Sequence, residues 1–144
     1  MKILGISCFY HDAAAVLIDD GKIIAAAEEE RFTRIKHDSS FPGNSINFCL
    51  NQAKIKPSDL DAVVFYEKPF IKFERIVLSF LTTAPFARHA FIDAFKIWLK
   101  YKIWIKALIL SRLKINPKKI YFCGHHVSHG ASSFYTSPFK SAAI

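Results

Sequence analysis

The sequence predicts an α/β fold built on a mixed sheet. Its strand-like runs are apolar on both faces, which asks for a sheet covered on both sides. Asp20-Gly21 joins two of these runs. Asp-Gly between β-branched runs is a strong hairpin signal, because both central positions of a type I′ turn need positive φ. Beyond the hairpin, strand-like and helical patterns recur in turn.

Lys2–Cys8, Ala14–Asp19 and Lys22–Glu28 are the three expected N-terminal strands. "ERFTRIKHDSSFPGNS" is polar and carries Pro42-Gly43, so it reads as a loop. Asn44 or Ser45 is expected to cap a helix ending near Lys54, with Ile46, Cys49, Leu50 and Ala53 at helical spacing. Ala62–Tyr66 reads as a fourth strand, and "KPFIKFERIVLSFLTT" as a helix ended near Pro85. Phe86–Ile115 reads as a long basic helix or a helix pair, broken by "NPKK". "KIYFCG" is a fifth strand and "HVSHGASSFY" a short helix. "KSAAI" resembles a strand just begun, so the chain is expected to be part of a longer protein.

The 144 residues suffice for one domain with a core, and 51% hydrophobic with 15% aromatic content excludes a disordered chain. The net charge of +8 is mostly local. Arg88, Lys96, Lys100, Lys102, Lys106, Arg112 and Lys114 face a single acid, Asp93, in that stretch. Interleaved with them are Phe91, Phe95, Trp98, Tyr101 and Trp104. Three readings fit: an amphipathic insertion with snorkelling lysines, an interfacial membrane or partner helix, or a contact for nucleic acid or an acidic substrate. Cys8, Cys49 and Cys123 are odd in number and form no C-x-x-C, which reads as reduced cysteines in a cytoplasmic protein. No signal peptide is recognised, and no apolar run of roughly 18 residues marks a transmembrane helix.

Two polar clusters stand out. "FCGHHVSHGASSFYTSPF" holds His125, His126 and His129, half of the six histidines. His125 and His129 are four apart, which on a helix puts both imidazoles on one face. A helix supplies two ligands to one metal ion in this way. The position, just past the carboxyl end of a strand, is where α/β sheets hold ligands. Gly124 is expected to permit a sharp strand-to-helix passage. The plainer reading of such a pair is a helix cap and a surface residue. His126 points elsewhere, toward a substrate or its own loop. The second cluster is His11-Asp12 with Glu28 to Arg31, Arg34, Lys36, His37 and Asp38. The loop after the third strand must fold back to bring these together. Arg and Lys can hold an anion there and His can move a proton; ordinary solvated charges are the alternative. No glycine-rich phosphate loop of a known pattern is present.

"HDAAAVLIDDGKIIAAAEEERFTRIKHDSSFP" followed by "HHVSHGASSFYTSPF" closely resembles the N-terminal part of the NodU/CmcH-type O-carbamoyltransferases. The likeness is good at both ends of the chain and loose over Phe70–Lys114. It implies an actin-like ATPase, ribonuclease-H-like fold (the ASKHA class), with residues 1–144 as the N-terminal subdomain of a Kae1-like domain. That subdomain would have a mixed sheet, an N-terminal β-hairpin and a helical insertion over 69–115. A YrdC-like domain is implied further along the full-length protein, making carbamoyl adenylate from carbamoyl phosphate and ATP. The Kae1-like domain then transfers the carbamoyl group to a hydroxyl of a sugar or secondary-metabolite acceptor. The resemblance implies that His125 and His129 bind a divalent metal, expected to be Fe(II), with a further aspartate ligand beyond Ile144. It makes His11 the candidate base and Lys36 an anion contact, with Asp12 and His126 as second choices and Arg34 and His37 beside the substrate. Gly130 departs mildly from the alanine usual there. No nucleic acid is expected as a partner, a homodimer is conceivable, and the chain alone is expected to be inactive. The alternatives are a Kae1/TsaD-like tRNA threonylcarbamoyl transferase and a non-catalytic fragment that binds a partner or membrane through Phe86–Ile115.

Overall fold

The computed structural model describes residues 1–83, 92, 98 and 103–143. The hairpin turn forms as its residues require: Asp20 has φ 46° and Gly21 φ 78°, the two positive values of a type I′ turn. It joins β2 (Ala14–Asp19) to β3 (Lys22–Glu28), and β2 also pairs antiparallel with β1 (Lys2–Ser7). β4 (Ala62–Phe65) lies parallel to β1, and β5 (Ile120–Phe122) parallel to β4. The sheet order is β3-β2-β1-β4-β5. The fold is therefore mixed α/β, as expected. Strand bounds match the sequence reading to within a residue for the first four strands.

The helices are α1 (Glu30–Thr33), α2 (Gly43–Ala53), α3 (Pro69–Thr83), α4 (Ile105–Leu113) and α5 (His125–Phe134). Strand alternation sorts the two faces of the sheet. Leu4, Ile6, Ala15, Leu17, Val63 and Phe65 point to one side and are almost wholly buried. Ile46, Cys49 and Leu50 of α2 and Ile105, Ile109 and Leu113 of α4 join them in one core. Burying each such Leu or Ile contributes about 1.5–3 kcal/mol. On the other side, Gly5 lies opposite Val16 and Val64 in the ladder. A Cβ at Gly5 would meet Val16 Cγ1 at 2.9 Å, so this position needs glycine for close approach.

The start of α2 differs from the sequence reading. Neither Asn44 nor Ser45 caps it; Pro42 occupies the cap position and makes no side-chain bond. The acceptor comes from outside the helix. Glu29, only 2% exposed, places its carboxylate over the helix N-terminus. Oε1 accepts from the Asn44 amide N (3.0 Å) and Nδ2 (2.7 Å), and Oε2 from the Ser45 N (2.8 Å) and Oγ (2.7 Å). The free N–H groups and positive dipole end of a helix favour a carboxylate at this point. Glu29 thus clamps the end of β3 to α2.

Residues 141–143 carry no regular structure, so the strand expected at "KSAAI" is not seen among the described residues. Most of the basic aromatic stretch from Phe86 to Tyr101 lies outside the described residues; α4 accounts for its helical end. Cys8, Cys49 and Cys123 are unbridged. No helix among the described residues is long and apolar enough to cross a membrane.

Replacing Glu29 by Ala strips acceptors from four donors at a buried helix end. We expect a loss of about 3 kcal/mol, read as a lower urea midpoint at unchanged slope. Gly5→Ala is expected to cost about 1–3 kcal/mol through overpacking against Val16, and Gly5→Ala with Val16→Ala to recover most of it.

Candidate active site

Strand direction gathers the polar residues. β1, β4 and β5 are mutually parallel, and two antiparallel steps through β2 give β3 the same direction. Their four carboxyl ends therefore lie at one end of the sheet, where open α/β sheets bind ligands. Residues 9–13 leave β1 there, 29–41 leave β3, Tyr66 and Glu67 leave β4, and Gly124 to His129 leave β5.

The loop after β3 folds back as the sequence requires. Phe9 N donates to Ser39 O (2.7 Å), Ala13 N to Asp38 O (2.8 Å) and Glu29 N to Ala13 O (2.8 Å). Phe9, Arg34 and His37 adopt φ of 64°, 60° and 56° in these two loops. Left-handed geometry in non-glycine residues costs energy and collects at functional sites. His37 Nδ1 lies 3.0 Å from Asp12 Oδ1, and the His37 amide donates to Glu30 Oε2 at 3.1 Å. The carboxylate orients the ring through Nδ1 and leaves Nε2 for other partners. Asp12, Glu30 and His37 bring ligand-type atoms within 4.8 Å of one another, a closeness their own hydrogen bonds account for. His11 is exposed, its ring 4.0 Å from that of Tyr10. Arg34 and Lys36 are exposed. The Ser40 hydroxyl and amide, with Thr33, hold the Asp38 carboxyl below the usual carboxylate range.

The second cluster forms on α5. His125 and His129 share one face, with Nε2 atoms 3.3 Å apart, ring centroids at 4.7 Å and planes at 88°. Burial first, then His129, holds His125 below the usual histidine range, which favours the neutral ring. His125 Nδ1 is buried and meets no hydrogen-bond partner among the described residues. His126 is exposed on another face, its ring edge-on to His125 at 5.7 Å. Gly124 has φ −69° and ψ 137°, ordinary extended backbone, so the strand-to-helix passage does not require glycine.

Two neighbours of this pair are not singled out by the sequence. Tyr66 packs its ring 5.5 Å from that of His125, and its phenol donates to Cys8 O at 3.4 Å. Burial, aided by the Glu67 charge, pushes that phenol up. Glu67, 1% exposed, pairs with Lys72 of α3 at 2.9 Å. The Lys72 ammonium lies 5.2 Å from the Tyr10 ring centroid and 5.8 Å from that of Trp98. An acid directly after a buried strand, at the same end of the sheet as the histidines, was the available signal. Its location depends on strand order, which the sequence does not display.

An open cleft of about 1070 Å³ runs along the less covered face of the sheet. Small apolar residues (Gly5, Ala14, Val16, Val64) form its floor, and Tyr66 and His129 stand on its wall. His11, Asp12, Arg34, Lys36, His37, His125 and His126 are not among the residues lining it.

Residues 2–144 match the family model described as "Carbamoyltransferase N-terminus". An uncharacterized protein of Synechocystis sp. is 46% identical over 99% of this chain and 24% of its own length. Nodulation protein NolNO of Sinorhizobium fredii is 36% identical over 94% of this chain and 19% of its own length. The chain thus spans a quarter or less of these two relatives. Among solved structures, component A of (R)-2-hydroxyglutaryl-CoA dehydratase from Acidaminococcus fermentans aligns with 45% of this chain and 24% of that one. Its TM-score is 0.36 at 24% identity, too slight to argue from. On the family match across nearly every residue, the chain belongs to the carbamoyltransferase N-terminus family.

Proposed function

We propose that this chain is the N-terminal subdomain of an actin-like, ribonuclease-H-like domain in a metal-dependent O-carbamoyltransferase. The full-length enzyme would take a carbamoyl group from carbamoyl adenylate, made from carbamoyl phosphate and ATP in a YrdC-like domain. It would deliver that group to a hydroxyl of a sugar or secondary-metabolite acceptor. The observation that carries this reading, given the family, is the His125–His129 pair at the carboxyl ends of the strands.

The pair fits a metal ion. Nitrogen ligands about 2.1 Å from one ion, in neighbouring positions of an octahedron or tetrahedron, lie about 3.0–3.4 Å apart. The Nε2 atoms are 3.3 Å apart. A ring kept neutral by burial offers its lone pair, as a ligand must. A divalent ion held there supplies Lewis acidity to a carbonyl or phosphoryl oxygen.

The chain's own residues divide the remaining work. Acyl transfer to an alcohol needs a base for the hydroxyl proton and donors for the charge that develops on oxygen. Asp12 fixes His37 with Nε2 free, so this pair is better arranged as base than His11, which rests against Tyr10. Lys36 and Arg34, exposed in the same loop, can reach an anionic oxygen of the donor.

The test uses the full-length protein. His125→Ala and His129→Ala should each remove bound metal and lower carbamoyl transfer by about a hundredfold or more, the scale of a lost Lewis acid. Transfer at the wild-type rate by metal-free protein would contradict the proposal. His37→Gln should lower turnover by about a hundredfold or more, the scale of a lost general base, while leaving metal content unchanged.

A further inference from the structure

We propose that the buried Glu67–Lys72 ion pair is the charge-balancing element of the His125–His129 site, and that Glu67 makes the site able to hold a cation. The inference rests on reading those histidines as metal ligands. Three placements support it. Glu67 follows Tyr66, whose ring packs on His125, and Ser128 Oγ lies 3.3 Å from Tyr66 O, holding α5 against the end of β4. Lys72 reaches the same corner from α3, with its ammonium on Glu67 and beside the Tyr10 and Trp98 rings. Glu67 is almost wholly buried, so its charge is poorly screened by water.

Glu67 and Lys72 carry opposite charges at the corner where Tyr66 packs on His125. A divalent cation on the imidazoles would feel both charges, with opposite sign. Lys72 alone would repel it, and the carboxylate offsets that repulsion. Metal-bound histidines commonly donate their second nitrogen to a carboxylate or carbonyl. No described group meets His125 Nδ1, so here the negative charge acts through space.

A purely structural ion pair and a charge-balancing one predict different mutational patterns. If the pair only packs, losing either partner weakens the site and losing both does not help. If it balances charge, Glu67→Gln leaves Lys72 uncompensated and metal affinity falls, whereas Lys72→Met removes the repulsion and affinity holds or rises. The double variant then returns to the wild-type value.

The experiment is titration of the full-length protein with Co(II), following its visible absorption bands. For Glu67→Gln we expect affinity about tenfold weaker, the size of an outer-shell loss at a metal site. The double variant should recover to within about twofold of wild type, well inside that tenfold loss. Should Glu67→Gln fail to fold, Lys72→Met still decides, because weaker binding there overturns the proposal. Wild type that takes up no Co(II) would overturn both the metal reading and this inference. Wild type that binds, with unchanged affinity in Glu67→Gln or no recovery in the double variant, would overturn this inference alone.

Discussion

The arrangement depends on strand direction. Reversing twice through the hairpin makes β3 run with β1, and the parallel crossovers to β4 and β5 keep that direction. Four strands consequently finish at one end of the sheet, with the start of β2 between β3 and β1, about 5 Å per step. Segments far apart in sequence then share that end, where side chains such as His37 and Asp12 meet across 25 positions. Glu29 secures one of these ends, because its carboxylate bridges the last turn out of β3 and the first turn of α2. The return of the loop to Phe9 and Ala13 secures the next. The left-handed backbone at Phe9, Arg34 and His37 is tolerated within this fixed frame.

The two sides of the sheet are used differently. One is packed by α2 and α4 with large aliphatic side chains, as a stabilising core must be. The other has a floor of Gly, Ala and Val, with an open cleft above it and His129 on its wall. Small residues on a central sheet let a bulky group approach the backbone closely. The packed core and the open cleft thus fall on opposite faces of the same five strands.

Much of the fold was legible in the sequence because its signals are local. Asp20-Gly21 specified the hairpin through φ alone, and the apolar runs marked the strands, although being apolar on both faces they did not say which face holds the core. The i, i+4 spacing put His125 and His129 together, a matter of helix geometry. What escaped was non-local. The cap of α2 comes from a residue 15 positions away from Asn44, so Asn44 and Ser45 looked like caps when they are donors. His37 finding Asp12 across 25 positions, and Tyr66 packing on His125, follow from strand order. Gly124 was expected to permit a sharp passage into the helix, but spacing carries no information on φ, and its backbone is ordinary.

Electrostatics at the shared corner are finely divided. Burial and His129 keep His125 disposed to be neutral, and buried Glu67, paired with Lys72, directly follows Tyr66, which packs on that ring. Such an environment suits a ring that must offer a lone pair rather than carry a proton. The most direct measurement of this account is X-ray absorption at the cobalt edge of the Co(II)-loaded full-length protein. It should show two imidazole nitrogens at about 2.0–2.1 Å, with their multiple-scattering signature reduced to one ring in His129→Ala. A spectrum containing only oxygen neighbours, or one unchanged by that substitution, would contradict the claim that this helix holds the metal.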